Sequence, residues 1–411
     1  MRQTLITNLT ILATNTFRKI DNAYLLIEDS TIQYLGHHPP DIRPDAVTLD
    51  ADGLVAMPGL IDAHTHIGDS IAKDLGTGKT LKELVHPLHG IKTQLFSNAP
   101  PELIGEAISK TACDMLKSGI TAFADFREGG LQGVRLAKKA LKECKQRILL
   151  LCRPNFSFPE SEVTEDLPLT GTILNETESA LSISNGIGLS GSNEYTQTAL
   201  QQINKLAKAN RKPVAIHAAE SLDAVNFSIG KFHTTEIQRI LASMTPSIMV
   251  HVTHASLDDI RKIAERKIGV VCCPRANGSL GVGTPPIRVL LDHKVRVALG
   301  TDNVMLNGPD MFREMDYTAR MMTANSLDPA AVNSTEILQM ATANPAEILG
   351  ISSWVGTLDQ GKKADIIFID KSAPNLEFSR DLVSSIVHRA RPDNIKCVMI
   401  DGEIVHGSIE N

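Results

Sequence analysis

The stretch LVAMPGLIDAHTH, residues 54–66, decides how the chain folds. Its first part, Leu54–Asp62, is a short apolar run of the kind that forms a strand covered on both faces. Polar chemistry follows at once. His64 and His66 stand two apart, so on an extended strand both side chains project to one side, where two imidazoles can share a cation. A strand that exposes two histidines to solvent is the ordinary alternative. The buried character of the preceding residues argues against it, because burying two imidazoles without a ligand is costly.

Outward from this stretch, seven more short apolar runs have the same character: Gly119–Asp125, Arg147–Cys152, Gly186–Ser190, Pro213–His217, Ser247–His251, Gly269–Cys273 and Arg296–Gly300. Helix-like stretches lie between them, among them Pro101–Lys117, Leu131–Cys144, Thr196–Ala209, Thr234–Ala242 and Leu257–Glu265. Alternation of this type marks an α/β protein with a parallel sheet wrapped by helices. Eight such units over about 290 residues suit a (β/α)8 TIM barrel, with an open doubly wound sheet as second choice. The ends read differently: AYLLIEDSTIQYLG, ADIIFID and VMIDGEIV are short strands with turns, and Asp401-Gly402 between apolar runs signals a hairpin. The expectation is a small composite β-sandwich domain from residues 1–57 plus 357–411, attached to a barrel of residues 58–356. Phe156–Ser184, rich in Ser, Pro, Glu and Thr, reads as a long loop or partly helical excursion.

With 411 residues, the chain has room for one large domain and a smaller one. Hydrophobic residues at 42% and charged residues at 21% exclude disorder and a coiled coil. A formal net charge of −6 offers no general attraction to phosphate backbones or anionic lipid, so neither nucleic acid nor membrane is expected as a partner. The opening MRQTLITNLTILATNT lacks the apolar stretch of a signal peptide, and a cytoplasmic location is expected. Six cysteines without CxxC spacing are expected to be reduced and mostly buried.

In a barrel of this type the C-terminal ends of all the strands surround one mouth, so residues far apart in sequence meet there. The fifth run ends in His217, and Glu220 follows about one turn later. The sixth ends in His251, with His254 three residues on as a competitor, and the eighth leads into Gly300-Thr301-Asp302. Singly, each could be a satisfied core or loop residue. Jointly, His64, His66, His217 and Asp302 supply three nitrogens and one oxygen, a good set for zinc or ferrous iron with a position left for water. Asp69, Arg127, Arg153 and Asn277 follow strand ends and are candidate substrate contacts, the arginines as forks for a carboxylate or phosphate. The glycine-rich Gly278–Gly283 has neither P-loop nor dinucleotide spacing and reads as a flexible connection.

At these residues the sequence resembles the amidohydrolase superfamily, in the branch that contains cytosine deaminase, S-adenosylhomocysteine deaminase and the triazine hydrolases. The likeness rests on PGLIDAHTH at 58–66, HAAE at 217–220, VHVTHAS at 250–256, CPRANGSLGVGTPP at 273–286 and VALGTDN at 297–303. It continues in GTLDQGKKADIIFID at 356–370 and VMIDGEIV at 398–405, so it covers nearly the whole chain in order. The resemblance implies that His64, His66, His217 and Asp302 bind one divalent transition metal, Zn2+ foremost, with Fe2+ or Mn2+ as alternatives. Glu220 would shuttle protons, His251 would polarise the group under attack, and Asp302 would also accept the proton of the attacking water. Members with two metals carry a carboxylated lysine at the end of strand four; here that strand ends in Gly-Leu-Ser-Gly-Ser-Asn, which favours one metal. The implied reaction is removal of an amine, as ammonia, from a ring carbon of a small-molecule heterocycle such as a pyrimidine, purine nucleoside, pterin or triazine. A bound cation suits it, since it brings the pKa of water down to about 7. Hydrolysis of a cyclic amide or chloro-heterocycle by the same site is the alternative, and a non-catalytic barrel scaffold a third. Family likeness also implies a homo-oligomer.

Overall fold

The computed structural model describes residues 2–86 and 89–409. Seven unbroken parallel strands, Leu60–His66, Ile120–Arg127, Arg147–Cys152, Gly186–Leu189, Val214–Ala218, Ile248–His251 and Gly269–Cys272, each pair with the next. The eighth comes in two pieces, Val297–Leu299 and Asp302–Asn303. The first piece pairs with strand seven and the second returns to strand one, setting Asp302 opposite Thr65 and Asn303 opposite His66. The sheet therefore closes into the expected barrel. Its interior is filled mainly by small and apolar side chains, among them Ala63, Phe126, Ala215, Val250, Val271 and Ala298.

One element departs from expectation. Residues 54–62 form two strands in two different sheets: Leu54–Pro58 pairs antiparallel with Ile366–Asp370, and Leu60–His66 opens the barrel. Gly59 makes the break. A Cβ there would stand 2.0 Å from Thr121 Oγ1, so only glycine lets the chain pass this close to the second barrel strand. Consequently His64 and His66 lie within the first barrel strand and share its geometry.

The helices follow their sequence signals. Pro101–Lys117 starts on proline and buries Ile104, Ile108, Ala112 and Met115 along one stripe. Thr196 caps Gln197–Ala209, and Ser256 with Asp259 forms a capping box on Leu257–Glu265. The excursion after strand three contains a helix, Gly171–Ser182. After strand one, the chain leaves the barrel through two short helices, Leu81–Val85 and Ile91–Asn98, that wall its mouth.

Strands from both ends, running from Gln3–Ala13 to Leu54–Pro58 and from Ile366–Asp370 to Glu403–Gly407, make one mixed eight-stranded sheet. Asp401 (φ 50°) and Gly402 (φ 75°) form the hairpin turn that their identities signal. Alternation sorts the two faces. Ile366, Phe368, Cys397 and Met399 join a core of this sheet's own, while Ile367, Ile369, Val398 and Ile400 pack into the barrel's core. All six cysteines are free.

Candidate metal centre and active site

The barrel's C-terminal mouth gathers imidazoles from three strands. Ring centroids lie 4.9 Å apart for His64 and His66, 4.8 Å for His64 and His217, and 5.2 Å for His217 and His251. One ligand-capable atom from each of His64, His217, His251 and Asp302 lies within 4.8 Å of all the others. His66 flanks this group: its Nε2 is 3.6 Å from the Asp302 Oδ1 that His64 Nε2 approaches to 3.2 Å. The four residues selected in the sequence thus meet at one place, and His251 meets them there.

Neighbours fix how each ring faces. His217 Nδ1–H donates to the Leu189 carbonyl at 2.7 Å, which leaves its Nε2 lone pair for the centre. His66 Nδ1 is 2.9 Å from Glu128 Oε1, turning its Nε2 toward Asp302. His251 Nδ1 sits 3.4 Å from the Asn277 amide, while its Nε2 faces Glu220 Oε2 at 3.6 Å. His251 (φ 71°) and Asp302 (φ 62°) both adopt left-handed backbone, a strained choice for residues other than glycine that recurs at functional sites. The break in strand eight that sets Asp302 so is pinned by Asp62, which accepts hydrogen bonds from Thr301 N and Thr301 Oγ1.

Charge states suit a cation. Burial pushes the His64 imidazolium pKa down to about 3 against the opposing pull of Asp302. Burial, then the neighbouring histidines, likewise hold His217 well below its ordinary value. Burial alone would raise Asp302, but its bond to His64 and the charges of His64, His251 and His66 hold it well below the usual carboxylate range. Neutral His64 and His217 beside an ionised Asp302 are the forms that ligate metals, whereas at His66 burial and Lys92 are outweighed by Glu128 and Asp69, which raise it above its ordinary value. His251 Nε2, facing the cavity beside the donor cluster, is buried without a hydrogen-bond partner, a costly state that a bound group there relieves. The donor set fits one divalent transition ion. It is the one such cluster among the described residues, and no lysine ends strand four.

A cavity of about 540 Å³ opens over the centre, bounded by His66, His217, His251, Glu220 and Asp302 on its floor and by the Ile91–Asn98 helix on one wall. A second lobe of about 630 Å³ adjoins it through Ser190, Glu194, His217 and Glu220, with apolar walls from Phe158, Leu222, Phe227 and Val282. Glu220 stands at the junction. Burial raises its pKa above the ordinary glutamate value against the opposing charge of His251. The preceding residue, Ala219, takes left-handed backbone (φ 49°) and donates its N–H to buried Glu236 at 2.8 Å, which fixes the loop that carries Glu220.

The expected substrate contacts fare less well. Asp69 is buried against Lys92 Nζ at 2.9 Å, and Arg127 is buried between Asp125 and Glu128; neither borders the cavity. Packing explains the Arg127 correction: a Cβ on Gly68 would lie 2.5 Å from its guanidinium, so the chain closes over it. Asn277 is buried behind His251, where it can orient that ring but cannot reach a ligand. Arg153 alone of the four lines the cavity, and its Nη2 is engaged by Glu194 at 2.9 Å. His254 lies apart, bonded through Nε2 to the Val282 carbonyl. The expected flexible connection after strand seven includes the end of a helix, Pro274–Leu280.

Glu128, expected with Arg127 near the mouth from its place after strand two, does line the cavity. Sequence reasoning missed Asp62, Lys92 and Glu194; Asp62 stood inside the quoted stretch, so its position was a signal. Lys92 and Glu194 meet their partners only through the fold.

Comparison with known proteins agrees with this geometry. The chain matches the Amidohydrolase family over residues 55–405. It is 36% identical to an uncharacterised protein of Methanocaldococcus jannaschii, over 92% of this chain and 93% of that one. It is 29% identical to the 5-methylthioadenosine/S-adenosylhomocysteine deaminase of Caldanaerobacter subterraneus subsp. tengcongensis, over 98% of this chain and 92% of that enzyme. An adenosine deaminase from Xanthomonas campestris, solved with bound zinc, shares the fold with a TM-score of 0.83 at 20% identity, covering 98% of this chain and 92% of that one. A match that spans barrel and terminal sheet, together with donors converging at the strand ends, leaves one conclusion: the chain belongs to the amidohydrolase family.

Proposed function

We propose that this chain is an aminohydrolase that converts an amine-bearing ring carbon of a nitrogen heterocycle, a purine nucleoside foremost, to a carbonyl and releases ammonia. The observation that carries the reading is Glu220: a carboxyl raised by burial, at the cavity floor, 3.6 Å from His251 and beside the donor cluster. The named deaminase among the relatives supports the same choice.

His64, His66, His217 and Asp302 would hold one divalent ion, zinc foremost, because His66 and His217 are each turned inward by a bond on the opposite ring nitrogen. When bound, such an ion supplies water acidified to a pKa of about 7. Asp302 accepts the proton that this water gives up. Glu220 donates a proton to the ring nitrogen next to the carbon under attack; the proton held on Asp302 then passes to the amine, which leaves as ammonia, while the O–H proton of the new carbonyl oxygen returns to Glu220. His251 Nε2 hydrogen-bonds the oxygen that develops on that carbon. Water and amine are consumed; ring carbonyl and ammonia result. Chloride release would draw on the same cluster without a proton return to nitrogen, and cyclic-amide opening would return the proton to the ring nitrogen without freeing ammonia, so parallel ammonia and chloride assays separate these readings.

The same reading divides the chain into a composite unit, residues 1–57 plus 357–411, and a catalytic unit, 58–356, and places the enzyme in the cytoplasm as a homo-oligomer acting on small molecules. The separate terminal sheet and barrel sheet support the division, and no helix among the described residues is long and apolar enough to cross a membrane.

Glu220→Gln is expected to lower kcat/KM by about 10²- to 10⁴-fold with metal content by mass spectrometry unchanged. The wild-type rate should fall as rising pH deprotonates Glu220, along a limb above the ordinary glutamate range that the variant lacks. His64→Ala should lose the metal. Full activity in Glu220→Gln removes it from this role, and a preparation indifferent to zinc, iron and manganese sinks the reading.

A further inference from the structure

The first lobe contains one cation that sequence reasoning assigned to an anionic ligand, Arg153, and the fold spends it on a carboxylate. Glu194 closes the short turn Ser192–Glu194 after strand four and lines both lobes at their junction, beside His217 and Glu220. Its Oε2 accepts from Arg153 Nη2 at 2.9 Å, from Ser157 Oγ at 3.0 Å and from Ser190 Oγ. Three donors converge on one oxygen, and the hydrogen bonds found for this carboxylate among the described residues all fall there. The other ammonium or guanidinium group bordering this lobe, Lys92, is likewise engaged, by Asp69 and Glu128. Arg153 therefore orients an acid and is not a free fork, and a carboxylate or phosphate placed beside it would meet Glu194.

Resting on the aminohydrolase reading, we propose that Glu194 is the specificity-determining acceptor of the first lobe: its Oε1 receives a hydrogen bond from an uncharged donor on the substrate, and Arg153 is its positioning residue. The chemistry it recognises is O–H or N–H. Two parts of a nucleoside present it, the sugar hydroxyls and the amine of the base, and both lie within one ligand that spans the junction. An ionised acceptor roughly doubles the strength of such a bond relative to a neutral one.

Glu194→Gln tests this with unusual directness. Arg153 can only donate, so the glutamine carbonyl turns to it and the amide NH2 faces the cavity, putting a donor where the ligand offers one. Equilibrium dialysis of the full, zinc-loaded chain in a Glu220→Gln background, which keeps the amine-bearing probes from being consumed, with adenosine, 2′,3′-dideoxyadenosine and purine riboside, which lacks the amine, gives the readout. Loss of affinity in the variant by about 10- to 100-fold is expected for the probes that carry the recognised donor. A penalty that vanishes with dideoxyadenosine assigns the donor to the sugar; one that vanishes with purine riboside assigns it to the amine; both support the proposal. Should Glu194→Gln fold poorly, Ser157→Ala loosens the carboxylate without removing it, and a smaller loss in the same direction is expected. Affinities within twofold of the Glu220→Gln background for every probe, in both variants, overturn the proposal. So does a wild type that deaminates other heterocycles yet binds none of these neutral probes. Those outcomes leave the aminohydrolase reading standing, whereas a wild type that binds the probes with the predicted Glu194 dependence but releases ammonia from no amine sinks that reading alone.

Discussion

Asp62 shows how much of a metal site can reside in a side chain that never touches metal. Its carboxylate joins the first and eighth strands, accepting from the N–H of His64 at 3.4 Å, from Thr301 N at 3.0 Å and from Thr301 Oγ1. One group thereby holds the backbone of a donor histidine and the break that turns Asp302 inward. Burial pushes Asp62 up to about 7, with the Thr301 bonds opposing, so the folded site retains an acid against its solvation preference. Asp62→Ala should weaken metal binding by about 10- to 100-fold, measured by competition with a chromophoric chelator, with a melting loss of about 1–3 kcal/mol. Unchanged affinity would mean that Asp302 is held without it. At this scale the sequence was legible where a donor sits on a strand-end string: His64 and His66 in HTH, His217 and Glu220 in HAAE, Asp302 in GTD. Glu194 was not, because its donors Arg153 and Ser157 lie 41 and 37 positions away on another strand end.

Among the elements, the helix Ile91–Asn98 is the one whose making the sequence concealed. IKTQLFSN offers only a short apolar stripe, Ile91, Leu95 and Phe96, each partly buried, and the one buried residue of this helix is Lys92. Its polar anchor is Lys92, whose Nζ reaches Asp69 Oδ2 at 2.9 Å and Glu128, beside the packing of Ile91 and Leu95 on the Ala72, Leu84 and Met305 cluster. Strands announce themselves by apolar runs because two-sided burial demands them, whereas a short helix held in part by an ion cluster leaves too brief a periodic trace to read. Losing one member of such a cluster strands the others in a dry setting, at a cost of about 3–5 kcal/mol. Lys92→Met should accordingly speed amide exchange across residues 91–98, read by hydrogen–deuterium mass spectrometry, well before the barrel strands respond. Exchange no faster than in the wild type would place the anchor in the partly buried apolar neighbours of this helix instead. The Gly59 break was hidden for a related reason: both halves of residues 54–66 are apolar, and only the approach to Thr121 distinguishes two strands from one.

For the whole molecule, the question is how two sheets with separate hydrogen-bond ladders hold one site. Gly59 makes them continuous in chain, with the strand that ends in His66 starting one residue after a strand of the terminal sheet. Packing supports this link: a Cβ on Gly119, just before barrel strand two, would lie 2.7 Å from Ile395 Cδ1 and 3.3 Å from Ile367 Cγ2. The polar clasp is Arg147, at the start of strand three, whose Nε and Nη2 donate to Asp365 at 2.7 and 2.9 Å and whose Nη2 also reaches Asp401 at 2.9 Å. Asp365 is buried, raised by burial against the pull of Arg147, so removing the guanidinium leaves an acid in the interface. Arg147→Met keeps the bulk and deletes the fork. The expected loss is about 3 kcal/mol, seen in calorimetry as a lower or divided transition, with metal content preserved because the donors lie at the opposite end of the strands. A single transition at the wild-type temperature would assign the joint to the apolar contacts of Ile367 and Ile395 alone.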